Sequence, residues 1–153
     1  MNPWNLAGAL LAVVTGALLP LQALINAHLG QRTSGALFAS FASFLIGTLA
    51  LGVALLVTRT PLPALQQTAG VPSWAWLGGV IGALFVVSAT VLVPRLGAAA
   101  LICLAVFGQL VASLVLDHYG VLHAPKPVDA VRIAGAALVA LGALMVVRPW
   151  QSS

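Results

Sequence analysis

Five long apolar runs, separated by short breaks rich in proline, glycine or charge, occupy almost the whole sequence. None alternates apolar and polar residues with the period of two that a membrane barrel requires. Each is close to the 20 or so residues that a helix needs to cross about 30 Å of hydrocarbon at about 1.5 Å per residue. A backbone in lipid must satisfy its own hydrogen bonds, and a helix does so within one segment. The pattern therefore predicts an all-α membrane protein: a bundle of five transmembrane helices in a single membrane domain, 1–153. The predicted spans are about 4–29, 34–57, 74–93, 97–117 and 129–147.

The fourth run organises the rest. Pro94-Arg95 and Asp117-His118 bracket it, and between Gly97 and Leu116 no side chain is charged. Gln109 and Ser113 are its strongly polar residues, one turn apart on one face. An amide at that depth needs a partner, so Gln109 should face other helices or a cavity. In the first run Gly8, Ala12 and Gly16 recur every four residues and offer a smooth face for close packing. No Lys or Arg precedes that run and no cleavage signal follows it, so it is expected to be a permanent span. Pro20 frees a carbonyl and should kink the helix. Gln22 and Asn26 follow on one side.

Leu29 to Thr33 reads as a tight turn. Ser40, Ser43 and Thr48 are the polar content of the second run, and such hydroxyls can bond back to their own helix. Residues 59–71 form the first real loop, after which Trp74 and Trp76 sit as an interfacial belt. Gly78 and Gly82 make a small-residue pair in the third run. Pro94 to Gly97 reads as a very short turn, so spans three and four are expected to be antiparallel neighbours. His118 to Val128 is a proline-bearing loop. Asp129 reads as the N-cap of the last span. Arg132 lies in that span's first turn, and Gly135 to Ala143 thin its faces. Arg148-Pro149-Trp150 closes it.

Composition removes the alternatives. Hydrophobic residues make up 61% of the chain and charged residues 5%, against about 25% charged in soluble domains. The net charge of +4 comes from scattered single cations rather than a basic patch, so nucleic acid is not a partner; the lipid bilayer is. Cys103 is the single cysteine and allows no internal disulfide; it reads as a small apolar filler.

The cations also carry a topological message. With five spans the two ends lie on opposite sides. One side then holds Arg59, Lys126 and Arg132, and the other Arg32, Arg95 and Arg148, three against three. Orientation normally follows an excess of Lys and Arg on the cytoplasmic side. Here there is none, so either other cues decide or the chain inserts both ways up. Counting Arg132 as inside the last helix would tilt the balance by one; dual insertion is the reading preferred here.

Several segments together resemble one family. They are Leu21-Gln22-Ala23-Leu24-Ile25-Asn26-Ala27-His28-Leu29-Gly30, Ala42 to Thr48, Trp74-Ala75-Trp76-Leu77-Gly78-Gly79, Pro94-Arg95-Leu96-Gly97, Gly108-Gln109-Leu110-Val111-Ala112-Ser113 and Asp117-His118-Tyr119-Gly120. Arg132, Gly135, Leu138 and Gly142 fit the last helix. With these the chain resembles the YdcZ-type, half-size branch of the drug/metabolite transporter superfamily. The resemblance implies one half of an inverted-repeat transporter fold, in the cell inner membrane. It implies export or transport of small metabolites, with a homodimer, antiparallel by the charge count, restoring the full architecture. Substrate pathways in such folds lie between the inverted halves near the midplane.

The polar residues supply the candidates. Gln22, Asn26, Ser43, Gln109 and Ser113 would line a substrate pathway. Gln109 could equally be an interhelical hydrogen bond, and Gln22 and Asn26 a gate or helix glue. Arg95, Asp117 and His118 are candidates for gating or coupling. Arg95 also reads as an interfacial anchor, and Asp117 as a helix-end cap or a partner for Lys126. Asp117 with His118 could relay protons. There is no glutamate, and no acid lies in the central part of a span. An organic cation would find no buried countercharge, which favours neutral, zwitterionic or anionic solutes.

Enzymatic readings lack a nucleophile–histidine–acid set, metal-ligand spacing or a phosphate loop, so neither catalytic residues nor a metal or cofactor are expected. A channel reading lacks a filter motif or charged ring. The rival class is a non-transporting accessory subunit or membrane scaffold.

Overall fold

A computed structural model describes residues 3–147. Arg148, Pro149 and Trp150, the expected close of the last span, lie outside the described residues. The elements are α1 (Pro3–Arg32), α2 (Ala36–Val57), α3 (Leu65–Ala69), a 3-10 turn (Ser73–Trp76), α4 (Leu77–Leu96), α5 (Ala98–Tyr119) and α6 (Ala130–Val147). No strand occurs among the described residues. Five helices are long and apolar enough to cross a membrane. The chain divides into two compact units, one running to Pro94 and the other starting at Arg95.

In the first unit α1 packs on α2. The large aliphatic side chains point outwards: Leu11, Val13, Ile46 and Leu49 are each more than 60% exposed. The buried positions are small or polar, namely Ala23, Ala27, Ala39, Ala89, Asn26, Ser40 and Thr90, with Val93. This inverts a soluble core for a physical reason. Lipid tails are as apolar as leucine, so helices gain by close backbone approach through small residues and by hydrogen bonds between helices. The Ser40 and Thr90 hydroxyls meet at 3.4 Å, and each also donates to its own helix, to the Ala36 carbonyl at 2.8 Å and the Val86 carbonyl at 2.7 Å.

Several boundaries differ from the sequence reading. The turn expected at Leu29 to Thr33 is helical up to Arg32. Gly30 stays helical, and Thr33 Oγ1 donates to the Leu29 carbonyl at 2.7 Å. The chain reverses instead around Gly35, whose φ of +102° suits glycine. Gly30 matters for a different reason: a Cβ there would lie 3.2 Å from the backbone of Gly35 and Ala36, where α2 begins. Likewise Pro94 and Arg95 belong to the last turn of α4, and the break falls at Gly97 alone, with φ +80°. A proline costs its helix the bond to the carbonyl four residues back, but one turn from the end little of the helix remains to be disrupted. The 59–71 loop contains the single turn α3, whose entry is closed by the Ala64 N–H on Gln67 Oε1 at 3.1 Å.

In the second unit α5 and α6 pair as a hairpin. The α5 helix ends at Tyr119, two residues past the expected span end at Asp117, on Gly120 in the left-handed conformation (φ +65°). The connection folds back on that end. Lys126 N–H donates to the Asp117 backbone carbonyl at 2.8 Å, Val121 N–H to the Leu116 carbonyl at 3.0 Å, and Val128 N–H to His118 Nδ1 at 3.3 Å. Asp129 caps α6 as expected, its Oδ1 accepting from the Arg132 N–H at 2.8 Å.

Gly120 is the hinge of this fold-back. A Cβ there would come within 2.6–2.8 Å of the Pro125 ring and nitrogen. Gly120→Ala is therefore expected to lower the thermal unfolding midpoint in detergent. The left-handed conformation alone costs about 1–2 kcal/mol, and the Pro125 overlap adds to it. Gly52→Ala, where an added Cβ meets nothing within 4 Å, should leave the midpoint unchanged or raise it.

Candidate functional site

Two grooves each gather three polar residues of the spans. The first lies in the first unit. Gln22 and Asn26 of α1 meet Ser43 of α2 in a groove of about 330 Å³, walled by Leu21, Ile25 and Ile46. A neighbouring groove of about 240 Å³ shares Gln22 and Ser43 and adds Thr48 and Phe44. No charged side chain lines either one. The cause is helical spacing: Gln22 and Asn26 stand one turn apart and face α2 where small residues let it approach.

Asn26 is the unusual member. It is 4% exposed, and its Nδ2 is buried with no hydrogen-bond partner among the described residues. An unmade hydrogen bond of this kind costs about 1–3 kcal/mol. A solute or a second conformation that offers an acceptor to this group would recover that cost.

The second groove lies in the second unit, between α5 and α6, with a volume of about 460 Å³. Ser113, Asp117 and Arg132 supply its polar lining, and Leu110, Leu114 and Val139 its apolar walls. Asp117 Oδ1 meets His123 Nε2 at 3.1 Å, and Oδ2 meets Arg132 Nη1 at 3.7 Å. The sequence reading offered Lys126 as the partner of Asp117. The structure corrects this: Lys126 reaches Asp117 through its backbone N–H, while the carboxylate goes to Arg132 and His123. Both were missed as site residues. The available signal was that Arg132 follows the capping Asp129 by three positions, at the start of the span facing Asp117. No spacing rule reveals that the loop brings His123 back.

The remaining candidates fall elsewhere. Gln109 is exposed, lines neither groove and makes no hydrogen bond with a described residue. His118 accepts from Val128 and stacks edge-on with Tyr119 at 5.1 Å, beside rather than in the Asp117 groove. Arg95, the last basic residue of α4, is exposed. No group of three His, Cys, Asp or Glu able to hold a metal ion occurs among the described residues.

The family described as "Putative inner membrane exporter, YdcZ" matches residues 7–145. The chain belongs to this family. The match takes in α2, α4 and α5 entirely and both grooves. As a YdcZ family member with five helices able to span a bilayer, the chain is a multi-pass protein of the inner membrane, in contact with lipid and built for membrane transport. No curated protein and no solved structure matches it.

Proposed function

We propose that the chain exports a small metabolite by alternating access, as an antiparallel homodimer in which each copy supplies one half of the pathway. The observation that carries the solute pathway is the convergence of Gln22, Asn26 and Ser43 on one uncharged groove, with a buried amide lacking a partner. Gln109 and Ser113 belong to the same pathway in this reading. Arg95, Asp117 and His118 stand at its mouths, where they gate or couple the movement.

The dimer has its own support. No added Cβ at Gly8, Gly16, Gly135 or Gly142 would meet anything within 4 Å. At Gly8 and Gly16 of α1 and Gly142 of α6 the small residues thus leave space open among the described residues, and another helix fits such positions more closely than lipid does. An inverted copy creates a two-fold axis in the membrane plane. Rocking about it exchanges which mouth is open, so one sequence provides both gates. The single domain 1–153 is then half of the transport unit.

The test is flux through purified protein in liposomes, across a metabolite panel, comparing the unmodified chain with Asn26→Leu. Leucine keeps asparagine's branched shape at a somewhat larger volume and removes an unpartnered amide, so the gain offsets much of the tighter packing and folding should be preserved. Flux is expected to fall at least tenfold. Unchanged flux in Asn26→Leu would remove this groove from the pathway. Absence of flux for every solute from the unmodified protein would favour a non-transporting accessory subunit instead.

A further inference from the structure

We propose that the α5–α6 groove binds an amphipathic zwitterion, its cationic group against Asp117, its anionic group against Arg132 and its apolar body against Leu110, Leu114 and Val139. This deepens the transport reading by naming a class of cargo, and it rests on that reading only if the bound molecule is the one carried.

The opposite charges are close but not locked. Arg132 Nη1 and Asp117 Oδ2 are 3.7 Å apart, well beyond the 2.7–2.9 Å of a tight charge-assisted hydrogen bond. The two side chains are 40% and 36% exposed, so a ligand can reach both. Arginine carries five donors and aspartate two acceptor oxygens. The pair and His123 leave part of that capacity unused. The remaining nearby acid, Asp129, is turned to the α6 N-terminus by its bond to the Arg132 N–H.

The groove continues from this pair along apolar walls. Ser113 stands one turn from Asp117 on α5, and Gly135 and Ala136 on α6 leave room opposite. A volume of about 460 Å³ falls in the range of roughly 300–1,000 Å³ typical of small-molecule sites. A polar head with both signs and a short aliphatic tail matches that layout.

Charge balance selects the class. At the edge of a bilayer an added net charge is costly unless matched. A simple anion would take Arg132 and leave Asp117 with the His123 imidazole as its remaining partner, and a simple amine would take Asp117 and leave the Arg132 guanidinium unmatched. A zwitterion inserts between the two and leaves each with an opposite partner. The Gln22–Asn26–Ser43 groove has no charge with which to make this distinction. Two sources share the chemistry: a free amino acid with an aliphatic side chain, and a phosphatidylethanolamine headgroup with its acyl chain along the groove.

The experiment measures binding of radiolabelled L-leucine to the protein in phosphatidylglycerol nanodiscs. Competitors keep the same apolar body: 4-methylpentanoate lacks the ammonium, and 3-methylbutylamine lacks the carboxylate. Leucine is expected to bind, with both competitors at least tenfold weaker. Asp117→Asn should weaken leucine at least tenfold and close its gap with 4-methylpentanoate. Arg132→Gln should close the gap with 3-methylbutylamine. Val139→Phe keeps the charges and fills the groove, so it should lose leucine even if either charge variant fails to fold. If the lipid is the occupant, leucine will not bind. Native mass spectrometry from mixed nanodiscs will then show phosphatidylethanolamine retained over phosphatidylglycerol, and all three variants will lose that preference. No binding of leucine together with no lipid preference overturns the proposal, as does a preference that survives all three variants. Binding is read without transport, so failure here leaves the Asn26 flux test standing, and the reverse.

Discussion

In intact cells, a single cysteine at position 66 is expected to label as two populations of similar size, and one added lysine should merge them into one. Residue 66 lies in the exposed segment between α2 and α4. With Gln66→Cys in a Cys103→Ala background, it reports which face of the membrane that segment occupies. The physical basis is the balance of three cations against three. Orientation responds to Lys and Arg in short loops near span ends, while acids contribute little. Pairing of Arg132 with Asp117 therefore does not remove it from the count. Thr60→Lys and Ser34→Lys place one charge on opposite sides at exposed positions and should drive the population in opposite directions. Each variant alone should lose transport, because only one orientation remains to assemble, and co-expression of the two should restore it. A single orientation in the unmodified protein would end the antiparallel model and point to a parallel assembly or to an oppositely oriented partner chain.

Gln109→Leu is the second large effect. The amide makes no hydrogen bond with a described residue and is exposed in mid-span. Among the described residues it therefore holds no hydrogen bond that leucine would break, and leucine at this exposed position should fold as well or better. Flux should nevertheless fall at least tenfold or change its solute preference, because the amide is available to the pathway or to the second copy. Crosslinking in the membrane separates these two roles. A dimer of normal yield with lost flux assigns Gln109 to the solute. A lost dimer, with Gln109→Asn restoring both dimer and flux, assigns it to the contact between copies. Normal flux in Gln109→Leu would take it out of the mechanism.

Much of the fold was legible because bilayer thickness and backbone hydrogen bonding leave few choices. An apolar run of about 20 residues in lipid is a helix, and all five runs proved helical. The Asp129 cap was legible for the same local reason, since its bond spans three residues. Helix ends were less so. Gly30 and Pro94 are residues that often end helices, yet both lie inside one. The actual breaks are at Gly35 and Gly97, where φ is positive. A glycine in a sequence does not reveal whether its freedom or its small size is being used.

The grooves needed the tertiary structure. Sequence order places Gln22 and Asn26 on one face, but only the approach of α2 brings Ser43 to them and leaves Asn26 Nδ2 buried without a partner. Helical period likewise put Gln109 beside Ser113, yet the α5–α6 pairing takes Ser113 into a groove and leaves Gln109 outside it. The partners of Asp117 were fixed by the Gly120 turn, which returns His123 to the end of α5, while α6 presents Arg132. The sequence alone thus determined that the chain spans a membrane five times, with an even distribution of cations. Which polar groups meet was decided by how closely each pair of helices packs, a property of facing surfaces rather than of any one segment.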